Sequence, residues 1–95
     1  MAREALGKQL DELASELERV GETRWSAWAR QIATRVNEGS AGSRDVREAF
    51  GGMGSLNDLI IHPANGHRVD EGAIDVLNAR LSALRASLYE LAQLQ

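Results

Sequence analysis

Two apolar stripes constrain this chain more than any other feature. Near the start, Leu6, Leu10, Leu13, Leu17 and Val20 step by four, three, four and three. Near the end, Ile74, Leu77, Leu81, Leu84, Leu88 and Leu91 alternate three and four in the same way. That spacing puts each set on one narrow face of a helix and suits shallow-angle packing, either between the two helices or against a second copy of the chain. The expected fold is all-α: a small bundle of three main helices plus one or two short ones, with heptad-type packing of the first and last helices. Ninety-five residues leave room for one core, so residues 1–95 are expected to form a single helical domain.

Between the stripes the punctuation is local. Gly21 is placed to end the first helix in a left-handed turn. Thr23 is the expected N-cap of a second helix, whose Trp25, Ala29, Ile32 and Val36 share a face before Asn37, Glu38 and Gly39 close it. Helical geometry puts Trp25 within that core stripe and Trp28 at its edge, with Arg24 one turn before Trp28 and Arg35 two turns after it. A half-exposed tryptophan flanked by guanidinium groups has the composition of a binding hot spot; the alternative is that Trp28 covers the core margin under the stem of Arg24.

After the Gly39-Ser40-Ala41-Gly42 connector, Ser43 is the expected cap of a short third helix running through Phe50, which Gly51, Gly52 and Gly54 must break. Met53 is expected to plug the core there. Ser55 and Asp58 fit a capping pattern ahead of Leu59-Ile60-Ile61, which reads as one or two helical turns stopped before Pro63, with a short strand as the alternative. Asn65-Gly66 signals a turn, and Asp70 is placed to start the last helix.

The run Gly51-Gly52-Met53-Gly54-Ser55-Leu56-Asn57-Asp58-Leu59, with Gly21-Glu22-Thr23 and the Trp25/Trp28 pair upstream, resembles an uncharacterised family of roughly hundred-residue bacterial helical proteins with a GGMGS-x-NDL signature, a domain of unknown function. The resemblance implies a helical fold and a bacterial context. It implies no catalytic residue.

Composition narrows the functional classes. A net charge of −3 gives no reason to expect nucleic acid or an anionic membrane as partner. The terminal helices are the acidic ones, which suits a solvated outer face or a basic partner. The absence of cysteine removes thiol nucleophiles, disulfides and cysteine-ligated zinc. The first ten residues hold Arg3, Glu4, Lys8 and Gln9 where a signal peptide needs an apolar run, and cytoplasmic residence is the expectation. The glycine-rich stretch lacks a phosphate-loop lysine, and no cofactor is expected. His62 and His67 flank a turn and, with Asn57 and Asp58, supply the inventory of a metal-binding enzyme, at a spacing that matches no standard ligand motif.

The reading these observations favour is a non-enzymatic protein-interaction module, of the kind that a bacterial immunity protein or antitoxin represents, binding another protein. The alternative is a homodimeric adaptor held by the last helix. The residues expected to meet a partner are Arg24, Trp28, Arg35, Asn57, Asp58 and His62.

Overall fold

The computed structural model describes residues 2–51 and 55–93; Gly52, Met53 and Gly54, including the expected plug at Met53, lie outside the described residues. The chain is an all-α bundle: α1 (Ala2–Arg19), α2 (Thr23–Glu38), the short α3 (Ser43–Glu48) and α4 (Ile74–Gln93), with 3-10 turns at Leu56–Asp58, Pro63–Asn65 and Glu71–Ala73. No strand occurs among the described residues. None of the described helices is long and apolar enough to cross a membrane.

α1 is the central element, packing against both α2 and α4, while α3 packs on α4. Its stripe is buried completely: Leu6, Leu10, Leu13, Leu17 and Val20 all belong to the core, together with Ala14. Each such leucine or valine contributes about 1.5–3 kcal/mol through removal from water. α4 carries the same repeat with a different outcome. Only Leu81 and Leu88 of its stripe are buried, while Ile74, Leu77, Leu84 and Leu91 stay half-buried. α1 packs against two long helices, whereas α4 packs against one long helix and the short α3.

The α1–α2 hairpin closes as the sequence implies. Gly21 takes φ of 75°, and the N–H groups of Gly21 and Glu22 donate to the carbonyls of Glu18 and Leu17. This is the paired bond pattern of a Schellman turn, and Gly39 (φ 83°) repeats it at the end of α2. The cap of α2 is Glu22, not the expected Thr23. The turn leaves Glu22 extended, so its carboxylate reaches the Trp25 N–H at 2.7 Å and Thr23 becomes the first helical residue. Inside α1, Gly7 is buried where α2 comes close, and a Cβ there would run into the side chain of Asn37.

Arg30 ties the two helices together. Its guanidinium reaches Asp11 at 3.0 Å, Ser15 at 3.0 Å and Glu18 at 2.9 Å. The bond to Arg30 holds the Glu18 carboxyl below the usual glutamate range, and Glu18 and Asp11 together hold the guanidinium firmly protonated. The pair is solvated, so its contribution is small and screened by salt.

α3 starts one residue earlier and ends two earlier than expected. Gly42 occupies the cap because the Asp45 carboxylate accepts its N–H at 3.0 Å, which makes Ser43 the first helical residue. Ala49 and Phe50 then tighten into turns that return to Val46 and Arg47. α4 likewise begins not at Asp70 but at Ile74, after the 3-10 turn Glu71–Ala73.

Leu13→Ala, which opens a cavity at the centre of the most buried helix, should cost about 2–5 kcal/mol in urea unfolding. Because Glu18 has a lowered folded-state pKa, its stabilisation is present above the ordinary glutamate range and is lost as pH falls through the lowered value. Melting temperatures compared at about pH 6 and about pH 3 should therefore drop less in Glu18→Gln than in the native chain.

Candidate functional site

Residues 55–70 cross the bundle without an α-helix, and their backbone groups find partners elsewhere. Leu56 and Ile61 anchor the segment in the core. Arg85 of α4 donates through Nη1 to the carbonyls of Leu56 (3.0 Å), Asn57 (3.3 Å) and Leu59 (2.9 Å). Burial lowers the Arg85 pKa from its ordinary value. Asn78 of α4 embraces Ile61: its Oδ1 accepts the Ile61 N–H and its Nδ2 donates to the Ile61 carbonyl, both at 2.8 Å. Asn65 Nδ2 closes on the Ile60 carbonyl at 2.9 Å, and the Arg68 N–H reaches back to the Val20 carbonyl at 2.8 Å.

These bonds correct the reading of Leu59-Ile60-Ile61, which is neither helix nor strand. Asn78 occupies both backbone groups of Ile61, leaving none for a helical ladder or a strand pair, and Pro63 holds the preceding His62 extended. Nor does Ser55 cap the following turn with its side chain. An extended chain alternates sides, so Ile61 is buried while Ile60 is 58% exposed.

His67 is the buried polar group of the segment, its side chain 3% exposed. Its Nδ1 accepts the His62 N–H at 3.1 Å, which places the proton of the neutral ring on Nε2, 3.5 Å from Glu22 Oε1. The same Glu22 carboxylate that caps α2 therefore also receives the crossing segment.

A shallow cleft of about 260 Å³ forms where α2 begins and the segment passes. Trp25, Leu59 and Ile60 give it apolar surface; Glu22, Arg24 and Asp58 stand around it. Trp25 is half-buried at the margin of the core, with Trp28 packed edge-on against it at 5.5 Å and Arg24 over its ring at 5.1 Å. Arg24 therefore covers Trp25, where the helical positions suggested Trp28.

Of the six residues expected to meet a partner, Arg24 and Asp58 line the cleft and Trp28 stands behind Trp25. The other three turn to local bonds. Arg35 donates to the Ser40 carbonyl at 3.4 Å, Asn57 Nδ2 to the Phe50 carbonyl at 3.1 Å, and His62 Nδ1 accepts the Ala64 N–H at 3.0 Å. Sequence reasoning missed Glu22, Ile60 and the outward role of Trp25. The signal for Ile60 was present in the run Leu59-Ile60-Ile61, of which an extended chain can bury only alternate members.

The two histidines have separate duties, one within its own turn and one against Glu22. Among the described residues no group of three or more His, Cys, Asp or Glu is placed to hold a metal ion.

Replacing Asn78 by Ala strips both partners from the Ile61 backbone. It should lower stability by about 1–3 kcal/mol in urea unfolding, more than a surface substitution on α4, which stays within about 0.5 kcal/mol.

The family model of a domain of unknown function, DUF6966, matches residues 18–70, more than half of the chain, and the chain belongs to that family. The matched stretch includes every residue that lines the cleft and none of α4. Comparison with curated proteins and with solved structures gives no match.

Proposed function

We propose that this member of the DUF6966 family is a non-catalytic protein-interaction module that presents the cleft between Trp25 and Ile60 to a partner protein. The observation that carries the reading is Ile60, an aliphatic side chain 58% exposed beside a tryptophan covered by arginine, on a segment whose backbone is tied down at Leu56, Asn57, Leu59, Ile60 and Ile61. Aromatic and arginine side chains around an aliphatic anchor have the composition of interface hot spots. A surface held rigid before binding loses little conformational entropy on docking, which suits a small inhibitor of a partner, as an immunity protein or antitoxin is.

A second reading, a homodimer through α4, is favoured by one observation. Val76 is 58% exposed, and Ala79, Ala83 and Ala86 continue its outward stripe at alternating steps of three and four. A solution mass equal to one chain at micromolar concentration removes that reading.

For the main reading, the partner captured by the tagged chain from native cells should be lost with Ile60→Asp and kept with Val76→Asp. Both positions are exposed, so both variants should melt close to the native chain. Retention of the partner by Ile60→Asp overturns the cleft as the interface.

A further inference from the structure

Arg85 of α4 is half-buried, and its charge has no counter-ion. Nη1 donates to the carbonyls of Leu56, Asn57 and Leu59, and Nη2 donates to the Ser82 hydroxyl at 3.3 Å. These acceptors are neutral, so they orient the guanidinium and leave its charge in place. Among the described residues, no carboxylate lies within ion-pair distance of it. Burial lowers its pKa with no carboxylate to oppose the shift. A charge withdrawn from water is ordinarily paired. Arg85 also lines a second cleft, of about 300 Å³, with Phe50, Asn57, Ser82, Ala86 and Tyr89. This cleft shares no lining residue with the one between Trp25 and Ile60. Among the described residues, Arg85 is the one charged group of its lining. Of the carboxylates that neighbour these residues in sequence, Glu48 pairs with Arg44, while Asp58 and Glu90 line other clefts. Phe50 and Tyr89 meet edge to face at 5.3 Å and supply apolar surface.

Independently of the Trp25–Ile60 surface, we infer that this second cleft binds a small organic carboxylate with a flat apolar body. Ser82 lines the cleft and holds Nη2, which places that side of the guanidinium at the cleft. The Nε–H and the second Nη2 hydrogen have no partner among the described residues. They lie side by side, and a carboxylate accepts such a pair through both of its oxygens. The flat body lies against Phe50 and Tyr89, where aromatic contact is available. A cleft of this volume suits a small ligand. One guanidinium with no acid beside it matches a single negative charge, which favours a carboxylate over a doubly charged phosphate. Because Nη1 is already held by three carbonyls, Arg85 loses little side-chain freedom when the ligand binds.

The test uses the full chain labelled with nitrogen-15, with benzoate as the probe and benzamide and inorganic phosphate as controls. The Arg85 Nε–H and the Tyr89 amide are the reporters. Benzoate should shift both signals saturably at millimolar concentration. It should bind about tenfold more tightly than benzamide, which has the same shape and no charge. Ser82→Asp sets a carboxylate where Nη2 already donates, supplying the counter-ion from within the chain. Position 82 is exposed, so this variant should melt no lower than the native chain, and it should bind benzoate about tenfold more weakly. Benzamide or phosphate binding as tightly as benzoate overturns the proposal, as does the absence of a saturable shift at either reporter. Unchanged benzoate affinity in Ser82→Asp also overturns it. The comparison of probes on the native chain decides the case whatever the substitution does to the fold.

Discussion

The arrangement past residue 55 depends on one requirement, that the backbone of a partly buried segment without α-helix find hydrogen-bond partners. Regular structure would satisfy it automatically; residues 55–62 have only short turns and extended chain. Two side chains of α4 meet it instead. Asn78 takes both polar groups of Ile61, and Arg85 gathers three carbonyls, so that α4 acts as a template on which the segment is laid. With Leu56 and Ile61 held inward, Ile60 has nowhere to go but outward, beside Trp25. The exposed isoleucine is thus a product of the same bonds that stabilise the segment.

α4 can serve as that template because α1 supplies the core. The two helices carry the same apolar repeat, yet α1 buries all of its stripe and α4 only Leu81 and Leu88. The difference comes from position. α1 is flanked by α2, through the Schellman turn at Gly21 and the Arg30 cluster, and by α4, through the core and the Arg80–Glu16 pair. Arg47 of α3 adds a bond to the Ala92 carbonyl near the end of α4.

Periodicity made the helices legible, and the left-handed glycines at 21 and 39 made the ends of α1 and α2 legible. The caps were less so. Thr23 and Ser43 are better capping residues by type, but the turn at Gly21 leaves Glu22 extended so that its carboxylate caps α2, and Asp45 inside α3 accepts the N–H of Gly42, which takes the cap position there. The crossing segment was illegible for a different reason. Asn78 and Arg85 look like ordinary polar residues of an amphipathic helix, and nothing local announces that their partners lie 17 to 29 residues earlier. Part of the cleft was visible in advance through Arg24 and Asp58; its anchor, Ile60, and the contact of Glu22 with His67 emerge only when the segment is folded back onto α2.

Belonging to a domain family whose match spans residues 18–70 locates the cleft within the family-defining part of the chain, with α4 behind it as support. The central claim is that the Trp25–Ile60 surface exists before any partner arrives, because the segment bearing it is fixed. Native-state hydrogen exchange at the amides of Ile61 and His62 tests this most directly, since one donates to Asn78 and the other to His67. Opening free energies close to those of the core amides of α1 are the predicted result. Exchange at the rate of an unstructured loop would contradict the account.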